Sequence, residues 1–134
     1  MPRNQIEALI LDYGGVISTP QNMDNVANML TLLGQQDGSD NFEALYRKTR
    51  GDYDSGLLSA QDYWVTIFEH YGRPVDEEKI TDLIREDVQS WTEVDPAMLN
   101  FINARKAAGH RLAVISNMTW ETLFFMRKHF AWLS

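Results

Sequence analysis

Asp12 closes an apolar run, Ala8-Leu9-Ile10-Leu11, and a glycine pair, Gly14-Gly15, follows after one residue. A buried parallel strand delivers its last side chain to the carboxyl edge of a sheet, where α/β proteins hold ligands. Two glycines let backbone N–H groups approach an anion with no Cβ in the way. The pattern points to a carboxylate nucleophile or metal ligand beside a phosphate-sized cradle, although strand, Asp and Gly-Gly also make ordinary turns. A second apolar run, Leu112-Ala113-Val114-Ile115, ends in Ser116-Asn117. By residue type alone, such a pair after a strand most simply caps the next helix.

The elements that must position these groups are legible from periodicity. Ile6 to Leu11 reads as the first strand. Met23, Val26, Ala27, Leu30 and Leu33 recur at helical spacing, with Gly34 ending that helix. Phe42, Leu45 and Tyr46 indicate a shorter helix closed by Gly51, and Asp52 to Leu58 reads as a loop. Ser59 caps a helix carrying Tyr63, Trp64, Ile67, Phe68 and Tyr71, which Gly72-Arg73-Pro74 breaks. Asp76 opens a helix whose apolar stripe is Ile80, Leu83, Ile84 and Val88, with Glu77 and Glu78 favoured by the dipole of its first turn. Asp95-Pro96 starts the next, which Gly109 stops. Leu112 to Ile115 is the second strand, and a last helix runs from Trp120 to Ala131. Strand, helix and strand predict a parallel α/β core with an all-α insertion between its first two strands.

Composition narrows the chemistry. The chain has 134 residues, within the usual size of one domain, and at 44% apolar it can build a core. Without cysteine it has no disulfide, thiol nucleophile or thiolate metal site. A net charge of −7 argues against broad nucleic-acid contact, which needs clustered Lys and Arg. No apolar run is long enough for a membrane span, and the start Met-Pro-Arg-Asn lacks a signal-peptide core, so a cytoplasmic protein is expected. His70, His110 and His129 lack metal-ligand spacing. Arg47, Lys48 and Arg50 can guide an anionic substrate or simply form a solvated face.

Leu9-Ile10-Leu11-Asp12-Tyr13-Gly14-Gly15-Val16 resembles the first motif of the haloacid dehalogenase-like (HAD) hydrolase superfamily, and Leu112-Ala113-Val114-Ile115-Ser116-Asn117 resembles the second. Tyr53-Asp54-Ser55-Gly56 with Leu58-Ser59 resembles the cap loop of subfamily I, whose helical cap is inserted after the first strand. The resemblance implies an α/β fold: a HAD-like Rossmannoid parallel-sheet core, incomplete here, over residues 1–18 and 92–134, with an α-helical cap over 19–91.

It further implies a Mg²⁺-dependent phosphatase acting on a small phosphorylated metabolite. Asp12 would attack phosphorus and form an aspartyl-phosphate. Asp12 and the Gly14 carbonyl would hold the metal, and Gly15, Ser116 and Asn117 would bind phosphate. Asp52 and Asp54 would lie on the loop that reaches over the site. Three features depart from the family pattern. Gly14 stands where family phosphatases carry a second aspartate as acid and base. A motif lysine and a later acidic pair have no counterpart after Ser116; Lys128 lies on a helix. The chain is therefore expected to be the amino-terminal part of a longer hydrolase. Two alternatives stay open: an inactive family product serving as an interaction or oligomerisation module, and, further from the motifs, a dehalogenase. An isolated two-stranded sheet is marginal and leaves open edges. If the chain is ordered alone, a homodimer or swapped assembly that covers the exposed core is expected, and sedimentation showing a compact, stable monomer would contradict it.

Overall fold

The computed structural model describes residues 6–35 and 41–133. Two short parallel strands, β1 (Ala8–Leu11) and β2 (Arg111–Val114), pair in the register Ala8–Arg111, Leu9–Leu112, Ile10–Ala113 and Leu11–Val114. The ladder extends one bond further, from the Ile115 N–H to the Leu11 carbonyl at 2.9 Å. Between the strands run α1 (Met23–Leu32), α2 (Phe42–Lys48), α3 (Arg50–Asp54), α4 (Ala60–His70), α5 (Glu77–Gln89) and α6 (Pro96–Ala107). After β2 come α7 (Trp120–His129) and a 3₁₀ turn, Ala131–Leu133. The architecture is thus α/β, with a small parallel sheet and several helices. No helix among the described residues is long and apolar enough to cross a membrane.

Local chemistry explains most boundaries. Asn22, Ser59, Asp76 and Asp95 each accept an N–H of the first turn of α1, α4, α5 and α6, and Pro96 occupies a position where its missing N–H is no loss. Four boundaries differ from the sequence reading. Ile6 and Glu7 fall outside β1, and β2 begins at Arg111 and ends at Val114. The last helix stops at His129, and a separate turn carries Trp132. The expected loop from Asp52 to Leu58 is in part helix: the break falls at Thr49, and Gly51 lies inside α3. Turn propensity at Asp, Ser and Gly lost there to the packing of Tyr53, which is buried against Tyr63 with ring centroids 4.7 Å apart.

Two apolar clusters form. The larger joins α1 to α5 through residues such as Met29, Leu33, Trp64, Phe68, Ile80 and Leu83. The smaller packs Ile102 of α6 and Met126 of α7 against Tyr13, Ile17, Leu11, Leu112 and Val114. Alternation therefore gives the sheet one covered face, bearing Leu11, Leu112 and Val114. The other is open: Ile10 and Ile115 are both 65% exposed. Residues 17–19 and 93–95 connect the two clusters side by side, with an antiparallel bridge between Ser18 and Val94 and bonds from the Thr19 N–H to Glu93 O (2.9 Å) and from the Asp95 N–H to Ile17 O (2.8 Å).

Inside the helical cluster Asp87 is completely buried. Its Oδ2 accepts from Arg50 Nη1 at 2.8 Å and its Oδ1 from the Tyr46 hydroxyl. Arg50 also donates from Nε to Asp54 Oδ1 at 3.0 Å, and its guanidinium lies 4.6, 5.0 and 5.5 Å from the ring centroids of Tyr46, Tyr53 and Tyr63. Removing one member of a buried pair strands the other charge in a low-dielectric interior. Asp87→Ala should therefore lower unfolding stability by about 3 to 5 kcal/mol in a urea titration. A loss below about 1 kcal/mol would show that water reaches Arg50 freely.

Candidate active site

The carboxyl ends of β1 and β2 form a rim. The turn after β1 is built on the Tyr13 carbonyl, which accepts the N–H groups of Val16 (3.1 Å), Ile17 (2.9 Å) and Ser18 (3.0 Å). Gly15 takes φ +72°, the left-handed conformation that glycine adopts at no steric cost. The segment after β2 leaves as Ile115-Ser116-Asn117-Met118 before α7 begins. The cap of α7 is Thr119, whose hydroxyl accepts the Thr122 N–H at 3.2 Å and is itself buried. Capping is thus done three residues beyond Ser116, which leaves Ser116 and Asn117 available for a ligand.

A cleft of about 340 Å³ opens between this rim and the helical unit. From the rim it is lined by Tyr13, Gly14, Ser116, Asn117, Met118 and Thr119. From the helices it is lined by Tyr46, Arg47, Arg50, Gly51 and Asp54. A second cavity of about 680 Å³ runs down the covered sheet face against Leu112, Val114, Ile102, Met126 and Trp132. Asp54, Ser116, Met118 and Thr119 line both. The helical unit touches the core here: the Tyr53 hydroxyl donates to Glu121 of α7 at 3.3 Å, and a Cβ on Gly56 would come within 3.1 Å of Trp120 Nε1.

The residues singled out by sequence divide between the cleft and its border. Gly14, Ser116 and Asn117 share the cleft. Asp12 directly follows β1, is exposed, and does not line it. Its Oδ1 accepts the Tyr13 N–H at 2.7 Å. Exposure alternates along both strands, so Asp12 continues the open side with Ile10, whereas the half-buried Ser116 continues the covered side with Val114. The two follow the ends of paired strands and continue opposite faces of the sheet. Gly15 also lies outside the cleft lining, and its N–H donates to Ser18 Oγ at 3.1 Å. Of the two loop aspartates, Asp54 lines the cleft and Asp52 is exposed outside it.

Sequence reasoning missed Asp87 and its hold on Arg50. The signal was present: position 87 falls on the stripe of Ile80, Leu83, Ile84 and Val88, and an acid on an apolar stripe calls for a partner. Arg50 is held by Asp87 and Asp54, but Arg47 pairs at the surface with Glu43 at 3.2 Å and its side chain is 70% exposed, so Arg47 presents a solvated cation to the cleft.

Mg²⁺ takes hard oxygen donors in octahedral geometry, commonly one or two carboxylates completed by water and substrate phosphate. The Asp12 carboxylate and the Gly14 carbonyl are donors of that kind. Among the described residues no group of three or more His, Cys, Asp or Glu side chains could hold a metal. Asp12 and Gly14 by themselves make no closed protein cage, and an ion held by them would need phosphate and water to complete its shell.

Set against solved structures, the chain aligns with a HAD family enzyme, BT-2542 of Bacteroides thetaiotaomicron, at a TM-score of 0.69 and 15% identity over 94% of its length. The wild-type BT-2542 complex with magnesium and inorganic phosphate aligns at 0.65, also 15% identical, over 93%. A predicted HAD-like family hydrolase from Porphyromonas gingivalis aligns at 0.62 and 17% identity over 89%. The fold is that of the HAD enzymes. The chain spans about 60% of the length of the BT-2542 structures and 55% of the Porphyromonas one. No family model matches the sequence, and no curated protein does.

Burial also sets how the tyrosines titrate. It pushes Tyr13 from 10.0 up to about 12, its hydroxyl donating to the Trp91 carbonyl at 2.6 Å. Burial raises Tyr46 and Tyr53 as well, reinforced by the Asp87 charge, and raises Tyr63 against the opposing charge of Arg50. The folded chain keeps these protons where the unfolded chain has lost them. Their contribution to stability is complete below pH 10.0 and falls as pH rises, for Tyr13 through about 12. The urea midpoint should hold up to about pH 9 and drop steeply above about pH 10. A midpoint that stays level through that range would contradict the burial of these hydroxyls.

Proposed function

We propose that the chain carries the phosphoryl-transfer half of a Mg²⁺-dependent HAD hydrolase acting on a small phosphate monoester, with Asp12 as nucleophile. The observation that carries this reading is the meeting in one cleft, under the helical unit, of Gly14, two residues past Asp12, with Ser116 and Asn117. The BT-2542 complex with magnesium and inorganic phosphate, a structure of the same fold, supports it.

In this reading an Asp12 carboxylate oxygen attacks phosphorus, the ester bond breaks, and water later releases phosphate from the acyl phosphate. The Ser116 hydroxyl and the Asn117 N–H donate to phosphoryl oxygens as charge grows on them. The Gly15 N–H is already engaged by Ser18, so Gly15 serves the turn. Mg²⁺, held by Asp12 and the Gly14 carbonyl, would offset the charge that repels the attacking carboxylate. Arg47 draws anions toward the cleft, and the helical unit selects the ester by shape.

The second reading, an inactive interaction module, draws on the sparse metal donors and on the open sheet face with Ile10 and Ile115. Phosphate release from 4-nitrophenyl phosphate separates the two. The first reading expects release that needs Mg²⁺, stops with chelator, vanishes in Asp12→Asn, and falls about 10²-fold in Ser116→Ala. Equal background from the native chain and Asp12→Asn would favour the module.

A further inference from the structure

Cleavage of an unactivated phosphate ester leaves an alkoxide or phenoxide that needs a proton, and a positioned acid commonly supplies ~10² to 10⁴ in rate. Gly14, on the rim beside the nucleophile, has no side chain to give one. The cleft lining holds five titratable side chains: Tyr13, Tyr46, Arg47, Arg50 and Asp54. Both arginines stay protonated throughout catalysis. The Tyr13 hydroxyl is committed to the Trp91 carbonyl and the Tyr46 hydroxyl to Asp87. Asp54 is the carboxyl that remains.

Its setting suits the task. Asp54 ends α3 and lines both cavities, as does Ser116, so it faces the rim where they join. Its side chain is 19% exposed, open to a ligand yet largely desolvated. The groups facing it are Arg50 on its own helix, at 3.0 Å, and Asp87 on α5. One guanidinium thus serves two carboxylates, and the fully buried Asp87 holds it at 2.8 Å. Of the two acids that share this cation, Asp54 is the one that lines the cleft. Burial raises the Asp54 carboxyl from its ordinary value, against the opposing charge of Arg50 and with a smaller push from the Asp87 charge.

Resting on the phosphatase reading above, we propose that Asp54, reaching from the helical cap, is the general acid and base of the reaction. As Asp12 Oδ bonds to phosphorus and the phosphorus–oxygen bond to the ester breaks, the Asp54 proton passes to the departing oxygen and releases a neutral alcohol or phenol. Asp54 then takes a proton from water as its oxygen attacks phosphorus. The bond to Asp12 breaks, which frees phosphate and restores both side chains.

The test compares 4-nitrophenyl phosphate, whose leaving group needs little help, with phenyl phosphate, whose leaving group needs a proton. For each variant the ratio of the two kcat/KM values, which report only the steps through formation of the acyl phosphate, is taken on one preparation, so it does not depend on the fraction folded. In Asp54→Asn the ratio should rise at least ~10²-fold, through loss on phenyl phosphate, and Asp54→Glu should restore part of it. An unchanged ratio, with Asp12→Asn abolishing both rates, overturns the role of Asp54 and leaves the nucleophile standing. No turnover of either ester by the native chain, or turnover that survives Asp12→Asn, overturns the phosphatase reading and the Asp54 assignment with it.

Discussion

A single guanidinium holds the site side of the helical unit in place. Arg50 spans from α3 to the buried Asp87 on α5 and is enclosed by three tyrosine rings. A charge so enclosed is tolerable only when paired and fully hydrogen-bonded, so the position of α3 is not free to drift. Because α3 is only Arg50–Asp54, fixing its first residue also fixes its last. The face the helical unit presents to the rim therefore follows from an interaction made within the helical unit itself. Tyr46 extends the same network, through Trp91 Nε1 at 3.2 Å and Gln21 Nε2 at 3.3 Å, to both chain segments leading back to the core.

Those two segments are the second constraint. Residues 17–19 and 93–95 run side by side with backbone bonds between them, and Tyr13 reaches across to the Trp91 carbonyl. A paired connection resists twist more than two independent linkers do, and it seats the helical unit over the rim. The sheet beneath is minimal. Two strands with one covered face bury few apolar side chains, so the larger cluster lies in the helical unit and the smaller beneath the rim. The cleft thus lies between a well-packed roof and a slender floor.

Much of this was legible along the chain. Asn22, Ser59, Asp76 and Asp95 mark helix starts because a short polar side chain satisfies an orphan N–H with no help from distant residues. The strands declared themselves as apolar runs closed by Asp12 and by Ser116. What failed was local reading where distant packing outweighed it. Asp52 to Leu58 carries turn residues, yet Arg50 to Asp54 is helical because Tyr53 and Arg50 find partners on α4 and α5. Ser116 was as good a helix cap as Thr119 on paper; which of them caps depends on how far the chain runs past the rim before α7 turns.

The sequence by itself determined the order of the two strands and of the helices other than α3, and the two strand-end motifs, because these rest on periodicity, capping and turn chemistry within a few residues. Only the tertiary structure decided that Asp87 would bind Arg50, that Asp54 and not Asp52 would face the cleft, and that Asp12 and Ser116 would leave the rim on different sides. Those outcomes depend on which faces of α3, α5 and the two strands meet, and a side chain's partner across 37 residues, as between Arg50 and Asp87, is set by packing that no local pattern encodes.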